Sequence, residues 1–350
     1  APTDRSEVVV VDVSTDRVVD VDSGEAGVQG IVLSLKNPTG VEQRGDKLYF
    51  TCVGAWGVLT DGGIEVVDLS SNETEGALLT ETALGGDAAG LAMMTESEGY
   101  VVLSDASWNN SVVKVDLLTK RVTPVFAEAG GGSIPGMGYL KGRMYVLDRG
   151  GWDTPESNVY VYDTSDHSLL AGPISTGIPP DAITFVAETV SDEVFFSGEA
   201  AVLVTTDYSS SASLASLDLS TNVVSSDVLA THTDAVVKSH GGKVYVIERL
   251  NGDNIIVLGE DDLGRPVVQY SVGNGSNPQD IAFVSESKAY VSLYGRDYVL
   301  VVNPATGDSL GRVDISHVSD ADGKPEASQL ALYGGRLYVV CQRLDENSNF

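Results

Sequence analysis

At 350 residues and 42% hydrophobic content, the chain can bury one large all-β domain or two ordinary ones, so its length leaves the domain count to internal repeats. Fifty acidic residues face 21 basic ones, and the formal charge of -29 repels phosphate-rich partners, which argues against nucleic acid and anionic membrane surfaces. No apolar run reaches the ~20 residues of a membrane-spanning helix, and two cysteines in so long a chain exclude a disulfide scaffold and form no CxxC pair.

Read from the start, APTDRSEVVVV has neither the basic nor the apolar region of a leader, so the chain reads as already processed. The acidic excess and the many Ser, Thr, Asn and Gly residues favour an exported protein: extracellular, periplasmic or on the outer cell surface, with any signal or lipid anchor outside this sequence. The run VVVVDVSTD with Asp12, followed by RVVDVD, reads as two outer strands with no inner strands before them. The first full unit follows. Its second strand is KLYFTC from Lys47, its loop VGAWGVLTDGG holds Trp56, and its third strand ends in Asp68 before a Ser-rich turn. The second unit has GYVVLS from Gly99, the loop SDASWNNS with Asp105 and Trp108, and VKVDLLT with Asp116. Gly130, Gly131 and Gly132 then open a loop that lacks the lysine and helix of a phosphate cradle.

The third unit carries RMYVLD from Arg143, the loop residues Asp148, Arg149, Trp152 and Asp153, and a strand ending in Asp163. The fourth reads as EVFFSG from Glu193, a loop around Tyr208 and a strand ending in Asp218. In the fifth, KVYVIE from Lys243 precedes Glu248 and Arg249, Gly259 replaces the aspartate, and Glu260 to Asp262 form an ordinary acidic turn. The sixth has KAYVSL from Lys288, then Tyr294, Arg296 and Asp297, with Asn303 at the aspartate position. Next comes SHVSDADGKPEAS, whose Asp320, Asp322, Gly323 and Glu326 resemble the start of a calcium loop. Its carboxylates are fewer than the six to eight oxygens calcium takes, so a plain acidic turn is the competing reading. RLYVVC from Arg336, followed by Arg343, closes the series.

Seven copies at spacings of about 40 to 60 residues, each a set of short strands separated by turns, specify an all-β, seven-bladed β-propeller with four antiparallel strands per blade over 1–350 as a single domain. The start supplies two outer strands and the end two inner ones. Joining them makes the seventh blade and removes two sheet edges that would otherwise invite aggregation. The aromatics Tyr49, Tyr100, Tyr145, Phe195, Tyr245, Tyr290 and Tyr338 stand in register as packing residues between sheets. Cys52 and Cys341 share one repeat position in blades that adjoin across the closure. Equivalent atoms one blade apart normally lie beyond disulfide reach, so both are expected to be buried thiols.

The stretch NPQDIAFVSESKAYVSLYGRDYVLVVNPATGDSLGRVDI from Asn277 resembles the YVTN-type, surface-layer-like propellers, whose blades run Pro, strand, Tyr-Val strand, loop, then a Val-x-Asp/Asn strand. That resemblance covers the whole chain and implies architecture. It also implies relatedness to surface lipoprotein propellers, among them a group that captures vitamin B12 for uptake. No ligand residue carries over by motif.

All three tryptophans, Trp56, Trp108 and Trp152, fall in the loop after the second strand of consecutive blades, with Tyr208, Tyr294 and Arg343 in matching loops. Loops of one class share one face of a propeller, so flat aromatic faces there can stack on a planar polar ligand, with Asp105, Arg149, Arg249, Arg296 and Arg343 supplying polar groups. The competing reading is that each tryptophan lids its own blade. The functional expectation is a secreted or surface-anchored, monomeric binding propeller for a tetrapyrrole such as cobalamin, a glycan or a protein partner. It requires no cofactor, with Asp320, Asp322 and Glu326 as candidate calcium ligands. The alternatives are a hydrolase or lactonase with a metal in the central channel, and a structural or adhesive surface module. His167, His232, His240 and His317 have no metal-ligand spacing, and no GxSxG elbow marks a nucleophile, so no catalytic residue is assigned.

Overall fold

The computed structural model describes residues 5–24, 26–127, 129, 132–151, 155–186 and 199–344. They build a seven-bladed β-propeller of antiparallel sheets. The chain begins with β1 (Glu7–Asp12), β2 (Arg17–Val19) and a short β3 (Ile31–Val32) that pairs with β1. Blade 1 is β4 (Pro38–Arg44), β5 (Lys47–Cys52), β6 (Gly63–Asp68) and β7 (Glu73–Thr80), and the short helix α1 (Glu81–Leu84) leads on from it. Blade 2 is β8 (Asp87–Met93), β9 (Glu98–Ser104), β10 (Asn110–Asp116) and β11 (Arg121–Val125). Blade 3 runs through β12 (Met137–Leu140), β13 (Arg143–Gly150), β14 (Pro155–Asp163) and β15 (Leu169–Ser175). Blade 4 has β16 (Pro180–Val186), β17 (Ala200–Thr206), β18 (Ala212–Asp218) and β19 (Val224–Ala230). Blade 5 has β20 (Ala235–His240), β21 (Lys243–Glu248), β22 (Asn254–Gly259) and β23 (Asp262–Ser271). Blade 6 has β24 (Pro278–Ser285), β25 (Lys288–Leu293), β26 (Tyr298–Val302) and β27 (Ser309–Asp314). After a single 3-10 turn come β28 (Ala327–Tyr333) and β29 (Arg336–Cys341).

By Cα packing the chain forms two compact units, one containing blades 1, 2, 6 and 7 and the other containing blades 3, 4 and 5. In the first, the seventh blade has the order β2-β1-β29-β28 expected for closure by both ends, with Val10 opposite Tyr338 and Glu7 opposite Cys341. Pleating sends alternate residues of each strand to opposite faces, and the buried clusters follow that rule. On β29, Leu337, Val339 and Cys341 pack toward blade 6, whereas Tyr338 and Val340 pack toward blade 1. Cys52, at the equivalent place on β5, packs with Leu48 and Phe50 toward blade 7. Equivalent positions face the same way around the ring, so Cys341 turns its back on Cys52. Both are free, buried thiols whose pKa burial raises far above the usual range.

The in-register tyrosines of this unit are buried, as the repeat predicts, and the hydroxyls of Tyr49, Tyr290 and Tyr338 fasten one blade to the next. Tyr338 donates to Leu69 O and to Asn72 Oδ1, each at 3.0 Å, Tyr49 donates to Glu96 O, and Tyr290 donates to Asp16. The repeated aspartates have an equally local purpose. Asp12, Asp68 and Asp116 each accept backbone N–H bonds from the residues two and three positions on, and the residue four positions on (Asp16, Asn72, Lys120) turns left-handed. This is the hairpin that joins the third and fourth strands.

In the second unit, Tyr145 and Leu147 of blade 3 pack against Ala201 and Leu203 of blade 4, and Val202 and Val204 pack against Val244 and Val246 of blade 5. This corrects one strand of the repeat. The second strand of blade 4 is β17, paired with β16 and β18, and the register against β18 puts Val202 where the other blades have tyrosine. EVFFSG with Phe195 lies outside the described residues. AAVLVTT lacks the aromatic that marks the other copies, and the aromatic-bearing EVFFSG just before it drew the assignment away.

Candidate functional site

The first unit brings Trp56 and Trp108 together, with ring centroids 5.6 Å apart and planes inclined at 36°. Both are about half exposed, Trp56 at 45% and Trp108 at 55% of full exposure. The Trp108 loop is an Asx turn: Asp105 accepts the Asn109 N–H at 2.9 Å, the Asn109 side-chain amide at 3.2 Å and the Ser107 N–H at 2.8 Å, which holds its pKa below the usual carboxylate range. Asp105 is therefore occupied in shaping the loop. Trp108 itself is left-handed, with φ of 66°, a conformation that costs a side-chain-bearing residue about 1 kcal/mol.

The Trp56 loop hangs on buried carboxylates. Gly57 N–H donates to Asp87 Oδ2 at 2.7 Å and Gly62 N–H donates to Glu81 Oε2 at 2.8 Å, while Ala55 N–H donates to the exposed Asp61. Glu81 and Asp87 are essentially without solvent contact, and Glu81 Oε1 and Asp87 Oδ1 have no hydrogen-bond partner among the described residues. Burial first, then the charges of Asp87 and Asp61, push Glu81 up to about 7, and burial raises Asp87 in the same direction. Sequence reasoning missed this group. Only the Thr80 cap at the start of α1 hints that a helical turn would aim Glu81 inward, and no spacing ties it to Trp56.

In the second unit, Arg149 donates to Asp181 Oδ1 at 2.9 Å and to Thr206 O at 3.0 Å, and its guanidinium lies 3.9 Å from the centre of the Tyr208 ring. Tyr208 donates its hydroxyl to the same Asp181 carboxylate, while its ring stays 45% exposed. The buried Arg149–Asp181 pair thus braces an exposed aromatic face. Arg249 is similarly committed to Asp234, from Nε to Oδ1 at 2.7 Å. Trp152 and Asp153 lie outside the described residues.

Back in the first unit, Arg343 Nη1 reaches Arg5 O at 3.2 Å and Glu7 Oε2 at 3.7 Å, tying the two ends of the chain together. Arg296 Nη1 bonds its neighbour Gly295 O at 3.3 Å, and Tyr294 is half-buried beside it. Asp320, Asp322 and Glu326 converge, with one carboxylate oxygen of each within 4.8 Å of the others. Glu326 has no solvent exposure, and burial together with Asp320 and Asp322 pushes it up to about 9.

The architecture has many structural relatives. Virginiamycin B lyase from Staphylococcus aureus superimposes with a TM-score of 0.60 at 12% identity, covering 87% of this chain and 95% of that one. A streptogramin B lyase gives 0.59 at 13% identity, over 88% and 95% of the two chains. The dihydro-heme d1 dehydrogenase NirN, solved in complex with DHE, gives 0.53 at 13% identity, over 88% and 73%. At such identities the likeness is one of fold. No protein-family model matches the sequence. A search of curated proteins finds no match either.

Proposed function

We propose that the chain is an exported ligand-binding propeller of the YVTN type, and that Trp56 and Trp108 form a stacking shelf for a small ligand with a flat apolar face and polar edges, a tetrapyrrole or a sugar. The observation that carries this reading is the exposed tryptophan pair itself. Two large aromatic rings left half exposed, one of them on a strained backbone, forgo part of the burial that would stabilise the fold, and a partner that covers them recovers it. The buried Asp87 and Glu81 fix the loop before the ligand arrives, so little ordering entropy opposes binding. Within this class a tetrapyrrole is the first candidate, because the YVTN-type propellers that the sequence resembles are related to a cobalamin-capturing group.

Titration of cobalamin, haemin and a set of oligosaccharides against the intrinsic tryptophan fluorescence tests the proposal. The expected result is quenching by one class, and a loss of at least tenfold in affinity in Trp56→Ala/Trp108→Ala, with the far-UV spectrum and melting temperature preserved. A folded double variant with unchanged affinity overturns it.

A further inference from the structure

We propose that Asp320, Asp322 and Glu326 form a calcium site that clamps the end of β29 into the blade closed by both ends of the chain. The inference is independent of the tryptophan shelf.

The site is built by a tight turn. Gly323 N–H donates to Asp320 O at 3.2 Å, Asp320 N–H donates to Lys324 O at 3.1 Å, and Gly323 is left-handed with φ of 85°. One oxygen of each aspartate is used inside the turn, Asp320 Oδ1 by the N–H of Asp322 and Asp322 Oδ1 by the N–H of Lys324. Glu326, itself left-handed with φ of 48°, sends its carboxylate back among these acids. Its Oε2 accepts Leu344 N–H at 3.1 Å, but Oε1 has no hydrogen-bond partner among the described residues although the side chain is wholly buried. A buried acceptor of that kind is costly to leave unmet, and here two further carboxylates crowd it. A divalent cation satisfies the idle oxygen and the crowded charge together.

The donors are all oxygen, with no histidine or cysteine in the group, which suits a hard cation. The three carboxylates come from an irregular turn, and calcium tolerates flexible coordination where magnesium demands a regular octahedron. The location gives the ion its purpose. Gln342 N–H donates to Glu326 O at 3.2 Å and Arg343 N–H to Pro325 O at 3.3 Å, so the ligand-bearing peptide is stitched to the three residues that follow β29. An ion holding Glu326 in place holds the end of β29, the strand on which β1 pairs.

Protein stripped with chelator and titrated with calcium chloride in a calorimeter is expected to bind one ion per chain. Melting temperature is expected to rise by several degrees at saturating calcium, and exchange of the Gln342, Arg343 and Leu344 amides to slow at least tenfold. Glu326→Gln and Asp322→Asn are each expected to weaken the affinity tenfold or more while folding normally in chelator. Absence of calcium heat in the stripped wild-type chain overturns the proposal, whether or not the variants fold. So does binding that leaves those three amides unchanged, or a preference for magnesium over calcium at equal concentration.

Discussion

Glu81 shows how much one buried carboxylate can impose on its surroundings. Its Oε2 orders the Gly62 end of the Trp56 loop, while Oε1 lies buried without a partner, so the ionised form is penalised and the pKa rises to about 7 from 4.5. The folded state therefore holds a proton that the unfolded chain has released between about pH 4.5 and 7. Stability contributed by the protonated form is complete below 4.5 and is lost as pH rises toward 7. Asp87, raised in the same direction, adds to the fall. Glu81→Gln keeps an oxygen for the loop amides and removes the charge. It is expected to flatten the decline, leaving the variant roughly 1–2 kcal/mol more stable than wild type at pH 8 and equal to it at pH 4. Urea unfolding at the two pH values measures this, and parallel wild-type and variant profiles would refute the assignment. Nothing in the sequence marks Glu81. Its importance comes from a loop some 20 residues away that folds back over it, and such long-range burial has no local periodicity to read.

Among elements, the hairpin after each third strand was legible because its chemistry is local. Aspartate followed by Ser or Thr is a turn signal whatever the rest of the chain does, and the structure puts the aspartate oxygen on the next amides at Asp12, Asp68, Asp116, Asp163 and Asp218. The Ser220 hydroxyl first, then the amides of Thr221 and Ser220, draw Asp218 down to about 2. The same turn demands a left-handed residue at its fourth step, filled by Asp16 and Asn72 but also by Lys120 and His167. Lysine gains nothing there to offset its β-carbon, and its chain neighbours are exposed. Lys120→Gly is therefore expected to stabilise the fold by about 0.5–1 kcal/mol, read as a higher denaturant midpoint at unchanged slope, and a destabilised variant would refute the argument. Blade 4 shows the other side. Its second strand, Ala200–Thr206, is a plain apolar run without the tyrosine, because Val202 fills the inter-sheet position by itself. Where packing can be satisfied by several residue types, the marker that sequence reading relies on disappears.

For the whole molecule, closure by the two ends was the most legible feature, since a deficit of inner strands at one end and of outer strands at the other has one economical resolution. The candidate site was less so. The tryptophan loops could be placed by repeat position, but the indole contact and the carboxylates beneath the Trp56 loop depend on how the loops fold. The energetic weight of closure is open to calculation. Val8, Val9, Val10 and Val11 on β1 are all fully buried, alternating between the layers against blades 1 and 6. At about 1.5–3 kcal/mol for each buried valine they contribute roughly 6–12 kcal/mol, comparable with the entire stability of a typical protein. A chain lacking residues 5–24 also leaves the inner pair β28 and β29 with an open edge at β29. Such a chain is expected to lose its cooperative melting transition and to aggregate. A synthetic peptide of residues 5–24 added during refolding is expected to restore a single transition, because the closure is made by hydrogen bonds and packing rather than by a covalent bond. A Val9→Asp/Val10→Asp peptide, which keeps the backbone donors but places charge in both apolar layers, should fail to do so. Restoration by that peptide would mean that edge pairing, and not valine burial, is what the N-terminal strand supplies.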